Sequence, residues 1–362
     1  MISIRQAAIS VINGDWDGIG RDWPYKAGME SCIQDPVHHA EGDVWIHTKM
    51  VYDEVLKCDL GAGHRLAALY HDVAKPQTRI EVIGKDRIHV SHPGHSRLGA
   101  QMLWKDLWQH GVGEIEDRIR GYWLSRWHQR VFHLWTQDDM ARAALICQAD
   151  VDLQELIAFA RCDTQGRICS NGPETLADLD LLGEWATEAQ LNDLLQDGDS
   201  RLFFFEKSGR SEHYHAMPPT GSRAVIMCGL PGSGKDTLIR SRYGDHGIVS
   251  LDGIREELDV PHGENQGVVI QAAMEKARTF LRERKPVVWN ATNLTKQMRS
   301  KIIGLMRDYD AHVTIAVMST PFEECLRRNS LRADPVPEQA ISRMLGKWEP
   351  PSRIEAHEIE WI

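Results

Sequence analysis

The 362-residue chain has no apolar run approaching the roughly 18 residues needed to cross a membrane. Its first twenty residues hold only a short apolar patch, broken by Asn13, Asp15 and Asp17, and do not read as a secretory leader. The seven cysteines (Cys32, Cys58, Cys147, Cys162, Cys169, Cys228, Cys325) include no CxxC pair. Their odd number and scatter argue against a disulfide framework or a zinc ribbon. These absences predict a reducing, cytoplasmic setting and no membrane partner. A surplus of positive charge is also missing. The net charge of −10 argues against a protein that coats nucleic acid by bulk electrostatics.

What is present suggests two domains, at about 150 residues each. A hydrophobic content of 42% allows each to bury its own core. Twelve tryptophans are many for this length, and eleven of the 17 histidines precede Thr136. A His-rich first half hints at metal. Lys276 to Lys301 holds eight basic residues and one acidic one, which makes either a local basic groove or a solvated helix face.

Periodicity divides the chain. Apolar residues recur at spacings of three and four in His64–Ala74, Leu98–Leu107, Ile115–Trp127 and Met140–Ala160, so the first region reads as all-α. From Arg223 short β-rich runs (Ala224–Cys228, Gly247–Leu251, Pro286–Asn290, His312–Val317) alternate with helical stretches, the pattern of an α/β fold with a parallel sheet. The expected organisation is a helical domain over 1–170, a connector over 171–222 with some helix, and an α/β domain over 223–362.

The first chemical constellation centres on His71–Asp72, in an apolar helical run that Pro76 is expected to stop. Upstream lies His47 at a helix start; downstream lie His92, His95 and His128, then Asp163 with Gly166 and Arg167. Imidazole nitrogen with carboxylate oxygen suits Mn, Fe, Co, Ni or Zn, and such a metal can acidify water and polarise a phosphoryl oxygen. The order His47, His71–Asp72, Asp163 resembles the H…HD…D pattern of the HD phosphohydrolase superfamily. The flanking text is similar to HD domains attached to CCA-adding tRNA enzymes. That resemblance implies an HD-type fold with His47, His71, Asp72 and Asp163 on a metal. It implies His95 and His128 on a second metal or a substrate phosphate, and Lys75 near the substrate with Asp72 in catalysis. Asp150 is the rival for the last ligand, and His39 is as readily a loop histidine.

The second constellation is Gly229–Leu230–Pro231–Gly232–Ser233–Gly234–Lys235–Asp236–Thr237, between an apolar strand and a helix. Glycines let backbone amides face a phosphate, the helix N-terminus adds positive charge, and Lys235 reaches the β and γ phosphates. Asp236 stands where Ser or Thr usually holds magnesium, and Thr237 follows, as in adenylate kinases. Asp252 ends the second strand, placed either to accept a proton or merely to cap a helix. Arg255 lies one turn on, for an acceptor phosphate. Thr292 and Asn293 follow the third strand. Arg328 and Arg332, at i and i+4, predict one helix face aimed at a transferring phosphoryl. This series resembles the phage-type 5′-OH polynucleotide kinase over nearly all of residues 223–350. That resemblance implies ATP or another NTP with magnesium, Asp252 as general base, Thr292 and Asn293 near the acceptor, and the two arginines as a lid. Ala291 replaces the acid of that family, which leaves Asn290 as a candidate ligand.

The whole chain is similar to bacterial fusions of an HD phosphohydrolase with a polynucleotide kinase. That implies a bifunctional end-healing enzyme of nucleic-acid repair. The first domain would remove a 2′,3′-cyclic, 2′- or 3′-phosphate and the second would phosphorylate 5′-OH ends of RNA or DNA, in functional partnership with a ligase. Two alternatives stay open: a small-metabolite or nucleoside kinase fused to a nucleotide-hydrolysing domain, and a non-catalytic nucleotide or metal sensor.

Overall fold

The computed structural model describes residues 4–19, 23–83, 88–261 and 264–362. They pack as two units, Met1–Asp193 and Leu194–Ile362. Unit 1 contains helices α1 (Ile4–Ile12), α2 (Lys26–Glu30), α3 (Val44–Lys57), α4 (Ala62–Tyr70) and α5 (Lys75–Thr78), then a hairpin of β1 (Ile80–Ile83) and β2 (Ile88–Ser91). It continues with α6 (His95–His110), α7 (Ile115–Trp127), α8 (Met140–Gln148), α9 (Leu153–Gln165) and α10 (Gly172–Glu188).

The helical reading of unit 1 holds, with four corrections. The antiparallel hairpin β1–β2 interrupts it, and the four side chains of β1 are exposed. The run expected over Met140–Ala160 is two helices, because Asp152 caps a new one by accepting the Gln154 amide at 2.7 Å. The run His64–Ala74 ends at Tyr70 and passes into a turn; Pro76 opens the short α5 instead of stopping α4. The segment 171–222 is divided: α10 packs on α9 in unit 1, and the remainder from Leu194 belongs to unit 2.

The core of unit 1 is aromatic. Trp23, Trp104 and Trp108 are fully buried. Trp16, Trp23 and Trp45 stack in a row that reaches Tyr52 and Tyr70. Rings of this size each bury on the order of 150–250 Å², which is where the tryptophan surplus is used.

Unit 2 begins with α11 (Gly198–Glu206) and alternates thereafter: β3 (Arg223–Cys228), α12 (Lys235–Arg242), β4 (Gly247–Ser250), α13 (Leu251–Leu258), α14 (Gln266–Arg282), β5 (Val287–Asn290), α15 (Lys296–Arg307), β6 (His312–Val317), α16 (Phe322–Ser330), α17 (Glu338–Leu345) and β7 (Glu358–Trp361). The five strands are all parallel in the order β4-β5-β3-β6-β7. Helices cover both faces, so β3 and β6 are nearly continuous apolar runs. The central β3 ends where the strand order reverses, the point at which open α/β sheets bind ligands. The short edge strand β7 escapes the sequence pattern.

One buried ion pair ties the C-terminal segment to this sheet. Arg299 on α15 is fully buried and grips Glu355 through two bonds of 2.8 and 2.9 Å. Its remaining donor serves the carbonyls of Asn293, Leu294 and Glu349 at 3.3, 3.1 and 2.9 Å. Removing one partner strands a buried charge. Arg299→Met is expected to destabilise unit 2 by about 3–5 kcal/mol, measured by urea unfolding against the parent chain.

Candidate metal centre and nucleotide site

The first site gathers at the end of α4. His71 and Asp72 occupy the turn after Tyr70, His47 comes from α3, His95 opens α6, His128 follows α7, and Asp163 lies on α9. His47, His71, His128 and Asp163 are 0% exposed and Asp72 is 1%. The close approach of α6 depends on Gly99, where a Cβ would lie 2.8 Å from the Tyr70 carbonyl oxygen and 3.3 Å from that of His71.

Hydrogen bonding sets the state of every imidazole. Nδ1 of His71, His95 and His128 faces the carbonyl of Ala68, His92 and Ser125 at 2.9, 2.6 and 2.7 Å. Nδ1 of His47 faces the Gly166 carbonyl at 3.0 Å and Glu41 Oε1 at 3.2 Å. Each acceptor requires the proton on Nδ1, which leaves Nε2 to meet a metal or a second proton. These Nε2 atoms face one another: His47 and His71 Nε2 are 3.3 Å apart, and His95 and His128 Nε2 are 3.2 Å apart. Nitrogens this close need a proton or a metal cation between them.

Asp72 stands between the two pairs. Its Oδ2 lies 3.5 Å from His47 Nε2 and 3.3 Å from His71 Nε2. Its Oδ1 lies 3.3 Å from His95 and 3.7 Å from His128, and has no hydrogen-bond donor. Burial raises the Asp72 pKa, but His71 and Lys75 outweigh it and hold the carboxyl well below its usual range. Asp163 Oδ1 is 3.1 Å from His47 Nε2. Burial opposes its ionisation too, yet the Arg167 guanidinium, at 3.1 and 2.5 Å, keeps it a carboxylate. Burial lowers the His47 pKa, while Asp163 and Glu41 raise it to a net increase, so this nitrogen demands positive charge. Several imidazole nitrogens with buried carboxylates fit a borderline divalent metal. His47, His71 and Asp72 form one group able to hold it, and Asp72, His95 and His128 form another.

Neither Asp150 nor Asp163 is in these groups: Asp150 takes the Trp127 indole N–H at 3.3 Å, and Asp163 meets the cluster at His47 Nε2. His39 pairs with Glu41 at 2.7 Å, and the two adjoin His47. Lys75 is buried between Asp72 Oδ2 and Gln34 Oε1, both at 2.6 Å. Glu41 and Gln34 carry no motif signal; only the folded chain shows that they orient His47 and Lys75.

The second site follows β3. Gly232 (φ +78°) and Gly234 (φ +90°) adopt the left-handed conformation, and a Cβ on Gly232 would lie 2.2 Å from the Cys325 carbonyl oxygen. Gly229 starts the loop, its amide bonded to the Thr292 carbonyl at 2.9 Å; Pro231 and Ser233 are buried in it. Lys235 Nζ folds over the loop onto the carbonyls of Gly229 and Leu230 at 3.0 and 2.8 Å. Burial pushes its pKa down to about 8. Asp236 and Thr237 are exposed in the first turn of α12.

Ser250 caps α13, its Oγ accepting the Gly253 amide at 3.2 Å. Asp252 therefore has no capping duty and stands exposed in the first turn. Arg255 bonds Gln266 through one guanidinium nitrogen, and its Nη1 is buried with no partner among the described residues. Arg328 lies against the P-loop at Gly234 and is held by Glu324 at 2.6 Å.

Three sequence expectations change. Arg332 is not on the helix face of Arg328, because α16 ends at Ser330. Asn329 bonds the Val336 amide and carbonyl at 3.1 and 2.8 Å and folds the chain into a loop that carries Arg332. Asn293 is buried and holds the Met227 carbonyl at 2.7 Å, a structural duty. Part of the basic segment is taken up locally: Lys276 and Arg278 pair with Glu257 and Glu275, and Arg299 is internal.

Comparison with known proteins finds matches to parts of the chain. A family model described as an AAA domain covers residues 225–351. The multifunctional CCA protein of Methylococcus capsulatus is 41% identical over 89 residues, 25% of this chain and 20% of that protein, in the N-terminal region. The L-seryl-tRNA(Sec) kinase of Methanococcus maripaludis is 22% identical over 134 residues, 35% of this chain and 52% of that protein. A chain of the Pnkp1/Rnl/Hen1 RNA repair complex superposes with TM-score 0.33 and 20% identity, over 38% of this chain and 46% of that one. The chain thus spans from a fifth to about half of the curated relatives it matches. Unit 2 is a P-loop domain of the kinase type, which implies a nucleotide and magnesium. No helix among the described residues is long and apolar enough to cross a membrane.

Two outcomes test these geometries. Gly99→Ala pushes α6 off the Tyr70–His71 backbone and is expected to weaken divalent-metal binding about tenfold, read by calorimetric titration of the metal-stripped protein. Lys235 is charged below pH 8 whether or not nucleotide is bound. Above pH 8 the free protein must take up a proton to bind a triphosphate. ATP affinity is therefore expected to be flat below pH 8 and to fall above it. Calorimetry in buffers of different ionisation enthalpy reads the uptake, and Lys235→Arg abolishes it.

Proposed function

We propose that the chain is a bifunctional enzyme that prepares broken nucleic-acid ends for a ligase. Unit 1 removes the terminal 2′,3′-cyclic, 2′- or 3′-phosphate, and unit 2 transfers the γ-phosphate of ATP or another NTP to a 5′-hydroxyl. The observation that carries the reading is the facing of four imidazole Nε2 atoms across one ionised carboxylate in unit 1. That set fits a phosphoester-cleaving metal, on a chain whose second unit is a P-loop domain of the kinase type.

In unit 1, His47, His71, Asp72 and Asp163 hold the ion, which can be Mn, Ni, Co, Fe or Zn. A divalent ion there acidifies water and polarises a phosphoryl oxygen. His95 and His128 present Nε2 to a second ion or to the substrate phosphate. Lys75 supplies a fixed ammonium beside Asp72 for the phosphate's negative charge. In unit 2, Gly229, Pro231, Gly232, Ser233 and Gly234 cradle the nucleotide phosphates with Lys235 and Thr237. Asp252 takes the proton of the attacking hydroxyl, and Arg255 binds the phosphate next to it with its unpartnered Nη1. Arg328, released from Glu324, and Arg332, from its loop, meet the charge on the transferring group. Thr292 keeps a place near the acceptor. One relative is by name an L-seryl-tRNA(Sec) kinase, and RNA is the first substrate to test.

A second reading, a small phosphorylatable acceptor, is favoured by the pairing of Lys276 and Arg278 with acidic neighbours and the burial of Arg299, which withdraw these three cations from a phosphate track. The test uses an RNA oligonucleotide with a 5′-hydroxyl and a 2′,3′-cyclic phosphate, incubated with the protein, ATP, magnesium and manganese, and read by intact mass. One phosphate gained at the 5′ end and one lost at the 3′ end are expected. Asp72→Ala abolishes only the loss and Lys235→Ala only the gain. An unchanged mass with folded, metal-loaded, ATP-binding protein overturns the reading.

A further inference from the structure

The nucleotide site carries an unusual charge balance. Lys235 and Arg328 bring two positive charges to the P-loop. Asp236 follows Lys235 directly, Glu324 holds Arg328 at 2.6 Å, and Asp252 contributes to the field at Lys235. Glu324 is shared by Arg327 and Arg328, whereas Asp236 is held only by a neutral amide among the described residues. A triphosphate brings several more negative charges to this place, and the Asp236 carboxylate repels them.

Asp236 is the centre of the problem and of its solution. It lies in the first turn of α12, and its Oδ1 accepts the Asn290 side-chain amide from the end of β5 at 2.7 Å. That bond crosses from α12 to a neighbouring strand and fixes the carboxylate at the carboxyl edge of the sheet. Oδ2 has no partner among the described residues, and Asn290 Oδ1 lies on the same amide. A carboxylate and an amide oxygen are hard donors that suit magnesium, which binds through one or two carboxylates together with substrate phosphates. Ala291, next along, offers no ligand. The Asp236–Asn290 pair therefore fits the magnesium that a P-loop kinase-type domain implies.

We infer that Asp236, positioned by Asn290, makes nucleotide binding obligately metal-coupled: the site admits the magnesium complex of a nucleoside triphosphate and rejects the free polyanion. A serine at position 236 would hold the same ion through a neutral hydroxyl and impose no such penalty. The inference rests on the P-loop reading and extends it to which form of the nucleotide enters.

The experiment measures equilibrium ATP binding to the full chain by calorimetry, once with excess magnesium and once with EDTA. Wild-type protein is expected to bind at least about tenfold more weakly without magnesium. Asp236→Ser is expected to bind metal-free ATP about tenfold more tightly than wild type, so the magnesium-to-EDTA ratio shrinks. Asp236→Asn, which keeps the shape and removes the charge, gives the same direction and guards against a misfolded serine variant. Asn290→Ala lowers affinity only in magnesium. A ratio near one in wild type, or a ratio that neither Asp236 variant moves, overturns the inference and leaves the P-loop reading standing. Absence of ATP binding in both buffers, with a folded protein, overturns the two together.

Discussion

The metal centre depends on where four protons sit. Backbone carbonyls at Ala68, His92, Ser125 and Gly166 take Nδ1–H from His71, His95, His128 and His47. Every ring is thereby turned and made a ligand before any ion arrives. Three of these carbonyls lie three residues upstream of the ring they fix, so the rotamer is written into the local helix or turn. The cost is a buried crowd of Nε2 atoms, tolerable only because a cation or a proton can sit between them. Asp72 makes the arrangement one site instead of two, since each of its oxygens faces a different imidazole pair.

The P-loop unit meets a related constraint with backbone in place of imidazole. Gly232 must lie against Cys325 of α16, and the first carbonyls of the loop occupy Lys235. Packing on α16 thus fixes the loop from behind. Arg299 does comparable work at a distance. By satisfying three carbonyls and Glu355 at once, it secures the chain that follows β5, and with it Asn293 and the edge of β3.

Much of this was legible because the decisive chemistry is concentrated in short motifs. His71–Asp72 and Gly232–Ser233–Gly234–Lys235 declare themselves, and apolar periodicity separates a helical unit from an α/β one. What was not legible depends on partners far away in sequence. Arg332 has the spacing of a helix face, but Asn329 reaches Val336 and ends the helix first. Asn293 sits among functional residues yet serves the Met227 carbonyl. Asp252 has the composition of a cap, and Ser250 takes that role. The break between α8 and α9 needs one aspartate whose capping bond outweighs an unbroken apolar pattern. Glu41, Gln34 and Glu324 are ordinary acidic or amide residues until the fold sets them against His47, Lys75 and Arg328.

The aromatic row through Trp16, Trp45 and Trp23 has an optical consequence. Nine of the twelve tryptophans lie at or before Trp185, in unit 1, and only Trp289, Trp348 and Trp361 lie in unit 2. Ultraviolet-excited emission from this protein is therefore dominated by the unit that carries the histidine cluster, and Trp45 is two residues from His47 on the same helix. Quenching by a paramagnetic ion would be seen in that light with no label attached, whereas events at the P-loop would pass almost unseen against it.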